Sequence, residues 1–483
     1  MDIQETISQL EQFRQELYEA FDHRADALME LLDALSSTPN AQSVAELSLS
    51  PFFRRGYGSV YDAIACFFQA SAPETAEEER RVWEETLRRL KVRYLPPPQQ
   101  RKFWLLGTDG VSIARLFAYT LKDRSYVYQA NTPRGNKPVT IGHQYSVQVV
   151  YPEKEHSSDP PWVFPLSTRR VQSEETATVV GSEQLDALME DETLPFHEEL
   201  SVHVADSIYS AVYFLGQTEQ HQNLVNVVRS RSNRVFYRPP LPVEGKRRPG
   251  RPPWYGERFS LKDSATWGEP DTVEETTLTT RKGHTYRVRL EGWPDLLMRG
   301  KKDLPMHQKP FTLIRVRILD DQDQPLFKHT LWLIVMGQRR KELSLVEAWE
   351  AYGQRFDVEH YFRFGKQRLL MAAFQTPDVG HEENWLAFIS LAYVQLWLAR
   401  RVAEALPRPW EQYLPQPEGE VASPSAVQRD LGRILQEIGT PAQPPKPRGN
   451  SPGRAEGTRL ARRKRHRVIK KGQKARKKTS NST

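Results

Sequence analysis

The stretch Leu345–Leu370, LVEAWEAYGQRFDVEHYFRFGKQRLL, decides how the rest of the chain reads. Apolar residues return every three or four positions and no proline interrupts them, which predicts one continuous helix. At ~100° per residue, Tyr352, Arg355, Glu359, Arg363 and Lys366 fall within an arc of about 80°. One carboxylate beside three cations and a phenol suits an anionic ligand held together with a metal ion. The same spacing also serves an ordinary amphipathic helix with Arg–Glu pairs one turn apart, such as Glu359 with Arg363. Acids elsewhere must decide between the two.

Upstream, two apolar runs close on an aspartate. Lys102–Gly107, KFWLLG, leads into Thr108-Asp109-Gly110 and reads as a buried strand that ends in Asp109. Leu200–Ser210, LSVHVADSIYS, reads as a second strand with Asp206 at its end. Either aspartate alone could be a turn former or a helix cap. Between them lie a hairpin-like segment turning at Lys122–Arg124, two strand-like segments, and a helix expected from Ser182, with that serine as its cap. After Asp206 come a helix in SIYSAVYFLGQTEQ and a single Arg-rich strand, LVNVVRSRSNRVFYR. This order predicts an α/β fold with a mixed sheet.

The spacing Tyr352, two residues, Arg355, three residues, Glu359, six residues, Lys366 resembles the YREK signature of one large group of bacterial DDE insertion-sequence transposases. The resemblance implies an RNase H-like core flanked by helices. It makes Asp109, Asp206 and Glu359 the catalytic residues and the ligands of two Mg²⁺ ions, with Mn²⁺ able to substitute. Carboxylate oxygens suit such ions, and paired ions serve phosphodiester chemistry. Tyr352, Arg355 and Lys366 would hold phosphates, with Arg363, Arg229, Arg231 and Arg234 touching DNA. Trp293, in the β-rich insertion, would stack on an unpaired base. The partners implied are double-stranded DNA, as element ends and target, and a second copy in a DNA-bound homodimer. The place implied is the bacterial cytoplasm, at the nucleoid. Two other readings stay open: a nuclease of this fold without strand transfer, and a catalytically silent DNA-binding descendant.

The organisation expected is a helical N-terminal domain at 1–95 that binds DNA, and a first core part at 100–238. A β-rich insertion follows at 239–340, and the Glu-bearing and packing helices at 341–405. A Pro-rich segment at 406–440 and a disordered basic tail at 441–483 complete it. The chain has 483 residues and a net charge of +7. Fifteen of the 68 basic residues and one of the 61 acidic residues lie between Lys446 and Lys478, so the remainder is net acidic. Such a tail binds polyanions through counterion release. One cysteine, Cys66, excludes an internal disulfide. His143, His203 and His360 match no zinc spacing. Lys246–Pro253, KRRPGRPP, resembles an AT-hook imperfectly, because Pro249 precedes the Gly-Arg-Pro segment. No apolar run is long enough to span a membrane, and the polar N-terminus is no secretory signal.

Overall fold

The computed structural model describes residues 3–470 except 130–131, 133–134, 157, 242–252, 281–282, 406–420, 448–452, 454 and 460. The AT-hook-like run therefore lies outside the described residues but for Pro253, as does the tail beyond Lys470. Helices α1 (Ile3–Glu19), α2 (Ala25–Ser37), α3 (Gly58–Cys66) and α4 (Ala76–Val92) open the chain. Strands β1 (Trp104–Ala114), β2 (Ser125–Tyr128), β3 (Val139–Val150) and β4 (Phe164–Val171) follow. Next come α5 (Ala177–Met189), β5 (Ser201–Ala205), α6 (Val212–Thr218) and β6 (Leu224–Arg229). Strand β1 pairs antiparallel with β3 and parallel with β5, β4 pairs antiparallel with β3, and β5 pairs parallel with β6. With helices on its flanks, this is an RNase H-like fold.

Several elements differ from their expected bounds. Strand β1 runs on past Asp109 to Ala114, because its far half pairs with β3 after β5 has ended. Helix α5 starts at Ala177, where Thr176 and not Ser182 is the cap, accepting from Val179 N–H. Helix α6 begins only at Val212, since Asp206–Ala211 forms turns. The Arg-rich strand is two strands, β6 and β7 (Val235–Tyr237), in different sheets.

Strand β7 pairs with β8 (Arg258–Ser260). Strands β9 (Thr272–Thr279), β10 (Thr285–Leu296), β11 (Phe311–Leu319) and β12 (Leu331–Met336) do not form a separate body. Strand β12 pairs antiparallel with β6, and one ten-stranded sheet runs β2-β3-β1-β5-β6-β12-β11-β10-β9, with β4 also on β3. Trp293 faces inward from β10 and is 1% exposed, packed among Phe259, Trp267 and Trp332. This corrects the expectation that it stacks on a base: the indole belongs to the aromatic core.

The expected single helix is two, α7 (Leu345–Gln354) and α8 (Asp357–Arg368), joined at Arg355–Phe356. The Tyr151 hydroxyl donates to the Arg355 carbonyl at 3.2 Å. Glu359 N–H turns to the Phe356 carbonyl at 3.1 Å, so the turn tightens and the ladder breaks. Helix α7 starts with a full capping box between Ser344 and Glu347.

Helix α9 (Val379–Leu398) is apolar on nearly all sides and is enclosed accordingly. It touches β4, α1, α2 and α3, and α11 (Pro424–Ile438), which follows the short α10 (Val402–Ala405). The buried Arg14–Asp33 pair of α1 and α2 is stitched to α9 by Arg14 Nη1 donating to Gln395 Oε1 at 3.0 Å. The N-terminal helices thus share the core of the sheet's helical layer. No described helix is long and apolar enough to cross a membrane.

Candidate active site

Strands β1 and β5 pair in parallel register up to Thr108↔Ala205. The next residue on each is an aspartate, so Asp109, midway along β1, and Asp206, just past β5, stand at one level and on one face, about 5 Å apart at the backbone. Both runs are apolar because the strands are covered on two sides. Beneath them the buried polar side chains are satisfied in a chain: Thr108 Oγ1 meets His203 Nε2 at 2.9 Å, and His203 Nδ1 meets Asn226 Oδ1 at 2.9 Å. Burial pushes His203 down to about 4, so it stays neutral and serves this network rather than a metal.

Glu359 reaches the same place from α8. Arg355 lies between the acids, Nη1 at 3.4 Å from Asp109 Oδ2 and Nη2 at 3.6 Å from Glu359 Oε1. One guanidinium therefore spans two carboxylates. Glu359 pairs one turn back with Arg355, not forward with Arg363 as expected. The Asp109 side chain is 20% exposed and that of Glu359 53%, so the site is recessed at Asp109 and open at Glu359. Burial, the largest influence, pushes the Asp109 carboxyl up to about 6, against the charge of Arg355 and with help from Asp206 and Glu359.

Each aspartate spends one oxygen on its own backbone. Asp109 Oδ1 accepts from Gly110 N–H at 2.7 Å and Asp206 Oδ1 from Ile208 N–H at 2.8 Å. Oxygens remain for a ligand. The donors are all carboxylate oxygens, the set that hard divalent cations prefer. The Asp109 carboxyl is recessed and raised mainly by burial, with Arg355 the cation beside it. Arg355 Nε is buried with no hydrogen-bond partner. These features fit a divalent metal and an anionic substrate. Among the described residues no three His, Cys, Asp or Glu close into a ready-made metal cage; Arg355 stands between Asp109 and Glu359.

The remaining expected residues divide. Arg229, Arg231, Arg363 and Lys366 are exposed, and Arg229 lies close enough to Tyr352 to act on its hydroxyl electrostatically. Tyr352 is 3% exposed and forms a wall of the site, with Arg355 5.6 Å over its ring. Arg234 is turned inward, donating from Nη2 to the Ser210 carbonyl at 3.0 Å, which pins the turn after Asp206. It is therefore a positioning residue and not the DNA contact expected. Three contributors were not visible in the sequence: Tyr151, which sets the helix break; Phe356, which stacks on Arg355 at 4.3 Å; and Gly107, which makes room for the Tyr151 ring. Only Gly107 left a signal, as a glycine inside a strand-like run.

Asp109, midway along β1, and Asp206, just past β5, thus stand in register on an RNase H-like sheet, with Glu359 of α8 linked to Asp109 through Arg355. Residues 16–292 match the family described as DDE superfamily endonuclease, more than half of the chain, and the chain belongs to that family. The matched span holds Asp109 and Asp206 and ends before the helix of Glu359. No curated protein matches the chain.

Proposed function

We propose that the chain is a DDE transposase of the YREK group, which cuts DNA at the ends of an insertion sequence and joins the freed ends to target DNA. The observation that supports this reading is the Arg355 guanidinium between Asp109 and Glu359, with Asp206 following β5 in register beside Asp109. Asp109, Asp206 and Glu359 would hold two Mg²⁺ ions. The chemistry such ions supply is activation of the attacking oxygen and neutralisation of charge on the phosphate and the departing 3′-oxygen.

The chain's own residues orient the substrate. Arg355, relieved of its two carboxylates, presents a planar fork that suits the paired oxygens of a phosphate. Lys366 and Arg229 add point charges at the open side. Tyr352 and Phe356 hold the Arg355 plane between aromatic surfaces. In the first step water attacks phosphorus and the 3′-oxygen leaves, taking up a proton. In the second, that 3′-hydroxyl attacks a target phosphodiester and another 3′-oxygen leaves, so the number of ester bonds is kept. A DNA-bound homodimer would bring two ends together.

The test uses linear DNA carrying the gene with its flanks, incubated with Mg²⁺. Wild type is expected to nick at the flanks and to give strand-transfer products with a target plasmid. Asp109→Asn, Asp206→Asn and Glu359→Gln are each expected to lower cleavage at least ~10³-fold while keeping the circular dichroism of wild type. Cleavage by Asp109→Asn at the wild-type rate removes the proposed centre. Nicking without joined products reduces the function to a nuclease.

A further inference from the structure

The tail is not featureless where it is described. Residues 461–470, ARRKRHRVIK, reach the turn that leads into β2, where Ile469 forms an isolated bridge with Ser125, the first residue of that strand. His466 N–H donates to the Tyr119 carbonyl at 2.8 Å, and Ile469 N–H to the Arg124 carbonyl at 2.8 Å. Arg124 Nη2 donates back to the His466 carbonyl at 3.4 Å, and Ile469 bridges Ser125 in parallel. Arg465 sits 5.5 Å over the Tyr119 ring.

Docking uses backbone and leaves the charges outward. Arg462, Arg463, Lys464, Arg465, Arg467 and Lys470 are all exposed, and the segment contains no acid. Tyr119 is exposed beside it, and Phe117, Tyr126 and Tyr128 are exposed on the adjoining stretch of chain. Cations this dense repel one another, and an ordinary charge run stays solvated and free. Held at the turn into β2 with the Tyr119 ring alongside, they suit a regular polyanion.

The place of the segment follows from register. Gly142 of β3 pairs with Ala114 of β1 on one side and Ser125 of β2 on the other. Ala114 lies five residues along β1 from Asp109. At about 3.3 Å per residue and 4.8 Å per strand, Ser125 is on the order of 20 Å from Asp109. That is roughly six base-pair steps of a duplex.

We propose that residues 461–470 are a phosphate-binding rail, docked at the turn that leads into β2, for the duplex arm that leaves the catalytic centre. This rests on the reading of the chain as a DNA-cutting enzyme. It goes beyond a basic tail of general affinity, because the docked position itself contributes.

The test measures binding of a 30-base-pair random-sequence duplex to the full chain by fluorescence anisotropy in EDTA, over a range of salt. Replacing Arg462, Arg463, Lys464, Arg465 and Arg467 by Gln is expected to weaken binding at least tenfold at low salt. The slope of log affinity against log salt should flatten by roughly 3–4. A second variant, His466→Pro with Ile469→Pro, removes both docking N–H donors and keeps every arginine and lysine. It is expected to lose most of the same affinity, and Tyr119→Ala part of it. If the proline variant binds as tightly as wild type with the same salt slope, the tail is a free polycation and the rail is overturned. These measurements need no cleavage. A chain that never cuts DNA but shows the docking effect removes the nuclease reading and leaves the rail.

Discussion

A Cβ on Gly107 would meet the Tyr151 ring at 2.4 Å, and the Tyr151 hydroxyl reaches the Arg355 carbonyl at 3.2 Å. Two residues from Asp109, then, a glycine lets a ring slide under the strand and hold the Arg355 backbone at the break between α7 and α8. Gly107→Ala is expected to destabilise the protein by about 1–3 kcal/mol through overpacking, read as a lower urea midpoint. Combined with Tyr151→Ala the cost should be clearly less than additive, because the ring that clashes is gone; strict additivity would separate the two residues. At this scale Asp206 was legible as the residue that closes β5, since a strand covered on both faces is an apolar run and an acid closing it stands out; Asp109 was misplaced as a strand end, because β1 runs on along β3 to Ala114. Trp293 was misread for a physical reason. An indole in an alternating strand faces core or solvent depending on which side is covered, and the neighbours that cover it, Phe259 and Trp332, are remote in the chain.

Helix α9 is anchored by a buried charge. Glu382 accepts from Arg115 Nε at 2.6 Å and the Tyr145 hydroxyl at 2.7 Å, and meets His143 Nδ1 at 2.7 Å. Burial raises this carboxyl, but the His143 hydrogen bond and the Arg115 charge outweigh it and bring it to about 2. Since the folded value lies below the unfolded ~4.3, the stability it contributes is complete above that pH. It is lost as pH falls towards 2. Glu382→Gln is expected to cost about 3–5 kcal/mol at neutral pH, by leaving Arg115 buried and unpaired. It should also flatten the loss of urea stability between pH ~5 and ~2; an unchanged acid limb would show that Glu382 does not titrate in this range. Among the elements, the Glu-bearing segment was legible as helical with its polar residues grouped. Its break was not, because Tyr151, which takes the carbonyl, sits some 200 residues upstream. The start of α5 was hidden by the β-branched run at Ala177–Val180, which looks like a strand until Thr176 caps it.

The whole molecule is less divisible than its sequence texture. Composition shifts at the prolines near residue 96 and again at 239, yet α9 fills the centre of the N-terminal helices and β12 continues the sheet from β6. Residues 1–95 expressed alone are therefore expected to give a poorly ordered chain by NMR, with exposed apolar faces of α1 and α2. A dispersed, cooperative spectrum would show an autonomous domain. Linear sequence marks where backbone texture changes; it does not record which surfaces are later covered.

The unbroken ladder from β2 to β9 carries one more implication. A hinged lid needs a seam across which hydrogen bonds do not run, and none separates the aspartate-bearing strands from those of the insertion. The sheet is a stiff shelf, so under the proposed function the bending that would bring a DNA strand to Asp109 falls mainly on the double helix, whose pliancy varies from step to step. Choice of cutting site would then be weighed partly in the elasticity of the nucleic acid.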